Sequence, residues 1–138
     1  MVNKNAVVCA IINDGCILMV SRPENPHHYG MPGGKVEENE TPKQAIVREI
    51  AEETGIDIHP ATLNLILCKQ VPSRREPGVI YTTFCYATNY GGMVYDLKSP
   101  EGLLLQWTPP YGIVRPPYAY YNSFVYQALC DSDIVKRE

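Results

Sequence analysis

One stretch constrains this chain more than any other. It is GKVEENETPKQAIVREIAEETGI, from Gly34 to Ile56, in which a glycine-ended turn runs into a short helix loaded with glutamate. Thr41 is a good N-cap, Pro42 suits the first helical position, and Gln44, three residues after Thr41, completes a capping box. Gly55 supplies the stop. At about 100° per residue, Arg48, Glu49, Glu52 and Glu53 fall within one arc of roughly 140°, while Ile46, Val47, Ile50 and Ala51 take the opposite side. One side packs and the other carries charge.

That charged side is costly on its own. Glu49 and Glu53 stand at i,i+4, Glu49 and Glu52 at i,i+3, and each like-charge pair costs a few tenths of a kcal/mol. They sit in the C-terminal half of the helix, where the macrodipole already disfavours negative charge. Either a hard divalent cation with oxygen ligands compensates, or the face is simply solvated with Arg48 paired to Glu52. The preceding Pro32-Gly33-Gly34 turn tips the balance, because a backbone without Cβ atoms lets a carbonyl approach an ion or a phosphate.

The same residues resemble the Nudix box, which reads Gly, five residues, Glu, seven residues, then Arg-Glu-apolar-any-Glu-Glu-any-Gly-apolar. Gly34, Glu40, Arg48, Glu49, Ile50, Glu52, Glu53, Gly55 and Ile56 fill every fixed position. The resemblance implies an α/β fold, the Nudix-type α/β/α sandwich with a mixed sheet between helices. It also implies cleavage of a phosphoanhydride in a nucleoside diphosphate derivative. Carried over residue by residue, Glu49, Glu52 and Glu53 match the family's metal-binding glutamates and the Gly33 carbonyl its backbone ligand, with Mg²⁺, or Mn²⁺, as the cation. Arg48 orients the glutamates and Glu40 supports Arg48 or the outer shell of the metal. Asn39 stands where the family commonly has Gly, and Asn tolerates the left-handed backbone better than most residues. Glu101, with five residues between it and Trp107, is the further carboxylate expected outside the box, its other reading being a turn glutamate after Pro100. Glu49, Glu53 and Glu101 are all candidates for the general base.

The length, 138 residues, fits one domain with a real core. Six of the fifteen acidic residues lie between Glu37 and Glu53, so the net charge of −3 reflects a local concentration. The lack of a basic run argues against nucleic acid as partner, but not against a small nucleotide. Cys9, Cys16, Cys68, Cys85 and Cys130 are widely spaced and odd in number, and read as buried thiols in a reducing compartment. The N-terminal apolar run is too short to span a membrane and makes a poor signal peptide, which points to the cytoplasm. A monomer and a homodimer are both compatible with this composition.

Taken in order, Ala6 to Ile12 and Cys16 to Val20 read as strands joined by a hairpin turn at Asn13-Asp14-Gly15. Ser21 to Tyr29 reads as a polar loop holding His27 and His28. Arg22, at the end of a strand, is either a substrate contact of the kind the family uses or a solvent-facing cation. Leu63 to Val71 and Val79 to Thr88 read as strands, linked by PSRREPG, where Arg74 and Arg75 meet a second phosphate or form a solvated pair. Leu103 to Trp107 reads as the last strand and Tyr120 to Cys130 as a closing helix.

The box, the compact length, the Glu101 to Trp107 spacing and Pro116-Pro117 followed by Asn122 look like those of MutT-like nucleoside triphosphate pyrophosphohydrolases, in which an Asn in a comparable place reads the base. Pro72 lies close to where ADP-ribose pyrophosphatases carry a proline, which keeps an ADP-ribose or nucleotide-sugar pyrophosphatase as the alternative. A non-catalytic nucleotide-binding module is a third reading, weakened because no box glutamate is missing.

Overall fold

The chain opens with a hairpin whose link is only two residues long. Asp14 and Gly15 have φ of 49° and 77°, the left-handed pair that matches the twist of two antiparallel strands. They join β1 (Val2–Asn13) to β2 (Cys16–Arg22), with Ile12 opposite Ile17 and Asn13 opposite Cys16. The computed structural model describes residues 1–93 and 97–137.

Among the described residues five further strands follow: β3 (Asn25–Gly30), β4 (Gly33–Lys35), β5 (Asn64–Pro72), β6 (Val79–Asn89) and β7 (Leu105–Thr108). Along one edge β1 runs parallel to β6 from Val2↔Val79 to Ile12↔Asn89. On its other edge it leaves β2 after two pairs and takes up β4 at Ala6 to Val8. The sheet therefore parts between β2 and β4, and Met31-Pro32 stitches the gap, with the Cys9 N–H donating to the Pro32 carbonyl at 3.0 Å. All other pairings are antiparallel, giving the order β3-β2-β1-β6-β5 with β7 on β2.

Alternation along the strands fills two cores. Val7, Cys9 and Ile11 of β1, with Leu18 and Tyr86, face α1 (Pro42–Thr54) and meet Ala45, Ile46 and Ile50. Ala10, Ile12, Ile17, Met19, Cys85 and Ala87 point the other way, onto Val125, Tyr126 and Leu129 of α2 (Ala119–Asp131). The result is the expected α/β/α sandwich. Fully burying a side chain such as Ile46 or Ile50 contributes about 1.5–3 kcal/mol, and both have no exposed surface.

Four expectations change. Residues 21–29 are not a loop: β2 continues to Arg22, and Asn25–Gly30 pairs with it as an edge strand. Gly33-Gly34 opens β4 besides turning the chain. Ala51 is exposed, and Ala45 takes the packing position. Cys68 is exposed and Cys16 half-buried, while Cys9, Cys85 and Cys130 are buried; all five are free thiols. Among the described residues no helix is long and apolar enough to cross a membrane.

Candidate active site

Helix α1 is fixed at both ends by its own sequence. Thr41 Oγ1 accepts from the Gln44 N–H at 3.1 Å, and Gln44 Oε1 accepts from the Thr41 N–H at 2.9 Å. At the other end Gly55, with φ of 79°, donates its N–H to the Ala51 carbonyl. The helix is thus a rigid mount for Arg48, Glu49, Glu52 and Glu53.

Arg48 organises the carboxylates. Its Nε and Nη2 donate to the two oxygens of Glu40 at 2.8 and 2.9 Å, a bidentate pair. Nη1 donates to Glu49 Oε1 at 2.8 Å and to Glu52 Oε1 at 3.0 Å, and Nη2 also reaches the Lys35 carbonyl at 3.1 Å. One guanidinium therefore ties the box glutamates to β4. Glu40 also accepts the Glu37 N–H at 2.9 Å. Arg48 first, and then that N–H, hold the Glu40 carboxyl at about 2.

The two glycines make room on the other side. A Cβ at Gly33 would stand 2.1 Å from the Val7 carbonyl oxygen, so only glycine lets β4 lie this close to β1. A Cβ at Gly34 would stand 2.6 Å from Glu49 Oε1, so the carboxylate rests directly on the turn. Glu53, 7% exposed, accepts a long hydrogen bond from the Gly33 N–H at 3.4 Å. Glu49 and Glu53 thus lie against adjacent residues of the same turn, Gly34 and Gly33. Burial, and then the Glu49 carboxyl, push Glu53 up to about 8, against the opposing pull of Arg22 and Gly33.

Arg22 reaches this pair from the end of β2. Its Nη2 lies 3.6 Å from Glu53 Oε1 and donates to the Val20 carbonyl at 3.3 Å, while Nε is shielded from water and has no partner. It also lines a cavity of about 560 Å³ with Ser21, Pro23, Pro26, Glu101, Gly102, Leu103 and Leu104. Glu101, itself exposed, shares that cavity with Arg22.

The structure thus gathers Gly33, Gly34, Glu40, Arg48, Glu49, Glu52, Glu53 and Arg22 where α1, β2 and β4 meet. Three other candidates have different partners. Asn122 is buried, and its Nδ2 donates to the Ile113 carbonyl at 2.9 Å. Arg74 Nη1 donates to the Pro117 carbonyl at 2.6 Å, and Arg75 Nη2 pairs with Glu24 Oε1 at 2.5 Å. Trp107 stacks on Tyr90 with ring centroids 6.4 Å apart. Sequence reading missed Glu24 and the Lys35 carbonyl, since neither stands in a pattern that signals its long-range partner.

Among the described residues no three His, Cys, Asp or Glu side chains converge as ligands around one point. Glu49 and Glu52 are turned onto Arg48. The donor set nonetheless suits a hard cation: Glu49 rests on Gly34 and Glu53 on the Gly33 N–H, and burial and Glu49 push Glu53 up, so the turn lacks positive charge that a divalent ion supplies.

Comparison with known proteins gives the same family as the geometry. The NUDIX domain model matches residues 2–113. Over 117 residues the chain is 49% identical to a CTP pyrophosphohydrolase of Escherichia coli (strain K12), an alignment covering 82% of each protein. Over 71 residues it is 41% identical to an 8-oxo-dGTP diphosphatase of Proteus vulgaris, covering 49% of this chain and 62% of that protein, less than two thirds of its length. The solution structure of the E. coli ORF135 protein superposes with a TM-score of 0.71 at 27% identity, over 96% of this chain and 94% of that one. With the family model spanning most of the sequence and the box residues gathered where α1 meets β4, this chain belongs to the Nudix family.

Proposed function

We propose that the chain is a Mg²⁺-dependent pyrophosphohydrolase, one domain acting in the cytoplasm, that cleaves a nucleoside triphosphate into the monophosphate and pyrophosphate. One observation carries the reading: the Glu49 and Glu53 carboxyls are both seated on the Gly33-Gly34 turn with Arg22 alongside. Nudix hydrolases generally need divalent metal ions. The residues that would hold Mg²⁺, or Mn²⁺ in its place, are Glu49, Glu52, Glu53, Glu101 and the Gly33 carbonyl. When bound, the metal neutralises charge on the diphosphate and makes water a better nucleophile.

The remaining work belongs to the chain. Arg48 and Glu40 keep the glutamates on one side of a rigid helix, which suits a reaction governed by positioning and charge. Arg22, with donor capacity to spare, takes a phosphate oxygen. The general base is one of Glu49, Glu53 and Glu101. Asn122, Arg74 and Arg75 remain candidate substrate contacts, each with one polar atom already engaged, by Ile113, Pro117 and Glu24 respectively. The triphosphate reading is favoured by the names of the relatives, a CTP pyrophosphohydrolase and an 8-oxo-dGTP diphosphatase.

The test is product chromatography on nucleoside triphosphates, ADP-ribose and nucleotide sugars, with Mg²⁺ or with chelator, for wild type and Glu53→Gln. Monophosphate plus pyrophosphate, lost both with chelator and in the variant, is the expected result. AMP plus ribose 5-phosphate would overturn the triphosphate reading, and absence of any metal-dependent product would overturn the enzyme reading.

A further inference from the structure

We infer that Arg75 is a positioning residue: by holding the Glu24 carboxylate it keeps that carboxylate off Arg22 and leaves Arg22 available to substrate phosphate. This rests on the reading of Arg22 as the phosphate contact.

Arg75 and Glu24 are separated by 51 positions. β2 ends at Arg22 and β3 pairs back from Asn25, so Pro23 and Glu24 form the whole link, and Glu24 lies two residues beyond Arg22. Arg22 is an unsaturated cation. Its side chain is only 16% exposed, its contacts to Val20 and Glu53 are long, and its Nε–H is unused. A guanidinium with five donors, so placed, captures a nearby carboxylate unless that carboxylate is already engaged.

Glu24 is engaged. Arg75 Nη2 sits 2.5 Å from its Oε1. Its own backbone N–H first, then Arg75, and more weakly Arg22, hold Glu24 below the ordinary carboxylate range, which places its charge within the field of both arginines. The loop that delivers Arg75 is itself tied down. Ser73 Oγ accepts from the Arg75 and Glu76 N–H groups at 3.3 and 3.0 Å. The Glu76 carboxylate takes Lys4 at 2.8 Å, Lys35 at 3.0 Å and the Tyr81 hydroxyl at 2.5 Å, from three different strands. Arg74 adds the bond to Pro117. Arg75 therefore starts from an anchored backbone, although its guanidinium lies at the surface.

Charge alternates along the line Arg75, Glu24, Arg22. Deleting the outermost cation frees the first anion, and the unused donors of Arg22 are its nearest outlet. A residue touching phosphate directly would behave differently, because removing Glu24 could not compensate for its loss.

The experiment compares wild type, Arg75→Gln, Glu24→Gln and the double variant. It reads KM and kcat for the preferred nucleoside triphosphate, the Arg22 Nε–H resonance in the metal-free protein, and Tm. In Arg75→Gln the expected result is a KM raised roughly two- to fivefold, the size of an exposed ion pair. kcat stays unchanged and the Arg22 resonance shifts. Glu24→Gln alone leaves KM near wild type, and the double variant returns both KM and the resonance to wild-type values. A double variant as impaired as Arg75→Gln, or an Arg22 resonance that does not move in Arg75→Gln, overturns the inference. If wild type turns over no triphosphate, the proposed reaction fails, while the resonance still decides the relation between Arg75, Glu24 and Arg22.

Discussion

The Glu49 carboxylate occupies the space that a side chain at Gly34 would need, 2.6 Å from where a Cβ would stand. Because the obstacle is the tip of a flexible side chain, Gly34→Ala shifts Glu49 and leaves the fold intact. Stability should stay within about 0.5 kcal/mol, while turnover falls about 10²-fold, as expected for a misplacement of about 1 Å at a reacting centre. Gly33→Ala meets backbone instead, the Val7 carbonyl, and should cost about 1–3 kcal/mol. Denaturant melts set beside initial rates separate the two glycines; equal destabilisation by both would refute the distinction.

Glu53 sets a pH dependence in the metal-free protein. Its folded-state carboxyl is pushed up to about 8 from an ordinary value of 4.5. Between those values the folded chain keeps a proton that the unfolded chain releases, so the Glu53 contribution to stability is fully present below about pH 4.5 and declines as pH rises towards 8. In chelator, Tm should fall across that window for wild type and run flatter for Glu53→Gln. Mg²⁺ should raise the wild-type Tm most at the alkaline end, by mass action on the folded state. A variant that keeps the full slope would assign it to another group.

Arg48→Lys retains the charge and loses the fork. A lysine cannot hold both Glu40 oxygens while also serving Glu49, Glu52 and the Lys35 carbonyl. Urea unfolding should show a loss of about 1–3 kcal/mol, together with weaker Mn²⁺ binding by electron paramagnetic resonance. Unchanged metal affinity would mean that the glutamates hold their places without Arg48.

Thr41→Ala removes one half of the capping box, so the Gln44 N–H loses its Thr41 Oγ1 partner. The expected cost is about 1 kcal/mol. Thr41→Ser, which keeps the acceptor, should lose almost nothing, and denaturation midpoints of the two variants provide the check.

The legible parts of this chain were those whose causes are local. Thr41, Pro42, Gln44 and Gly55 mark both ends of α1 because capping acts within a single turn, and Asp14-Gly15 marks the first hairpin for the same reason. Asn25–Gly30, NPHHYG, was hidden because its polar, proline-bearing sequence has little strand preference of its own; pairing with β2 decides it, at an edge where such residues are tolerated. The exchange of Ala45 for Ala51 reflects a helix rotated to bring Glu53 against the Gly33 turn. In the site, the box residues were readable by spacing. The pairing of Arg75 with Glu24 was not, since nothing near either residue encodes a partner 51 positions away.

The pairing of β1 carries a consequence for how the protein comes into being. Val7 lies opposite Gly34 on one edge and Phe84 on the other, so a single residue joins the glycine turn to a strand made much later in the chain. The box looks like a self-contained word, yet a nascent chain that has just emitted Ile56 holds β1 to β4 and α1 with the Val2 to Ile12 edge of β1 still unpaired. Its glycine turn sits on a strand whose other edge stays open until β6 arrives to brace it. Maturation of the site should therefore coincide with closure of the whole sheet, and a ribosome paused before Val79 would carry every glutamate of the box without a working centre.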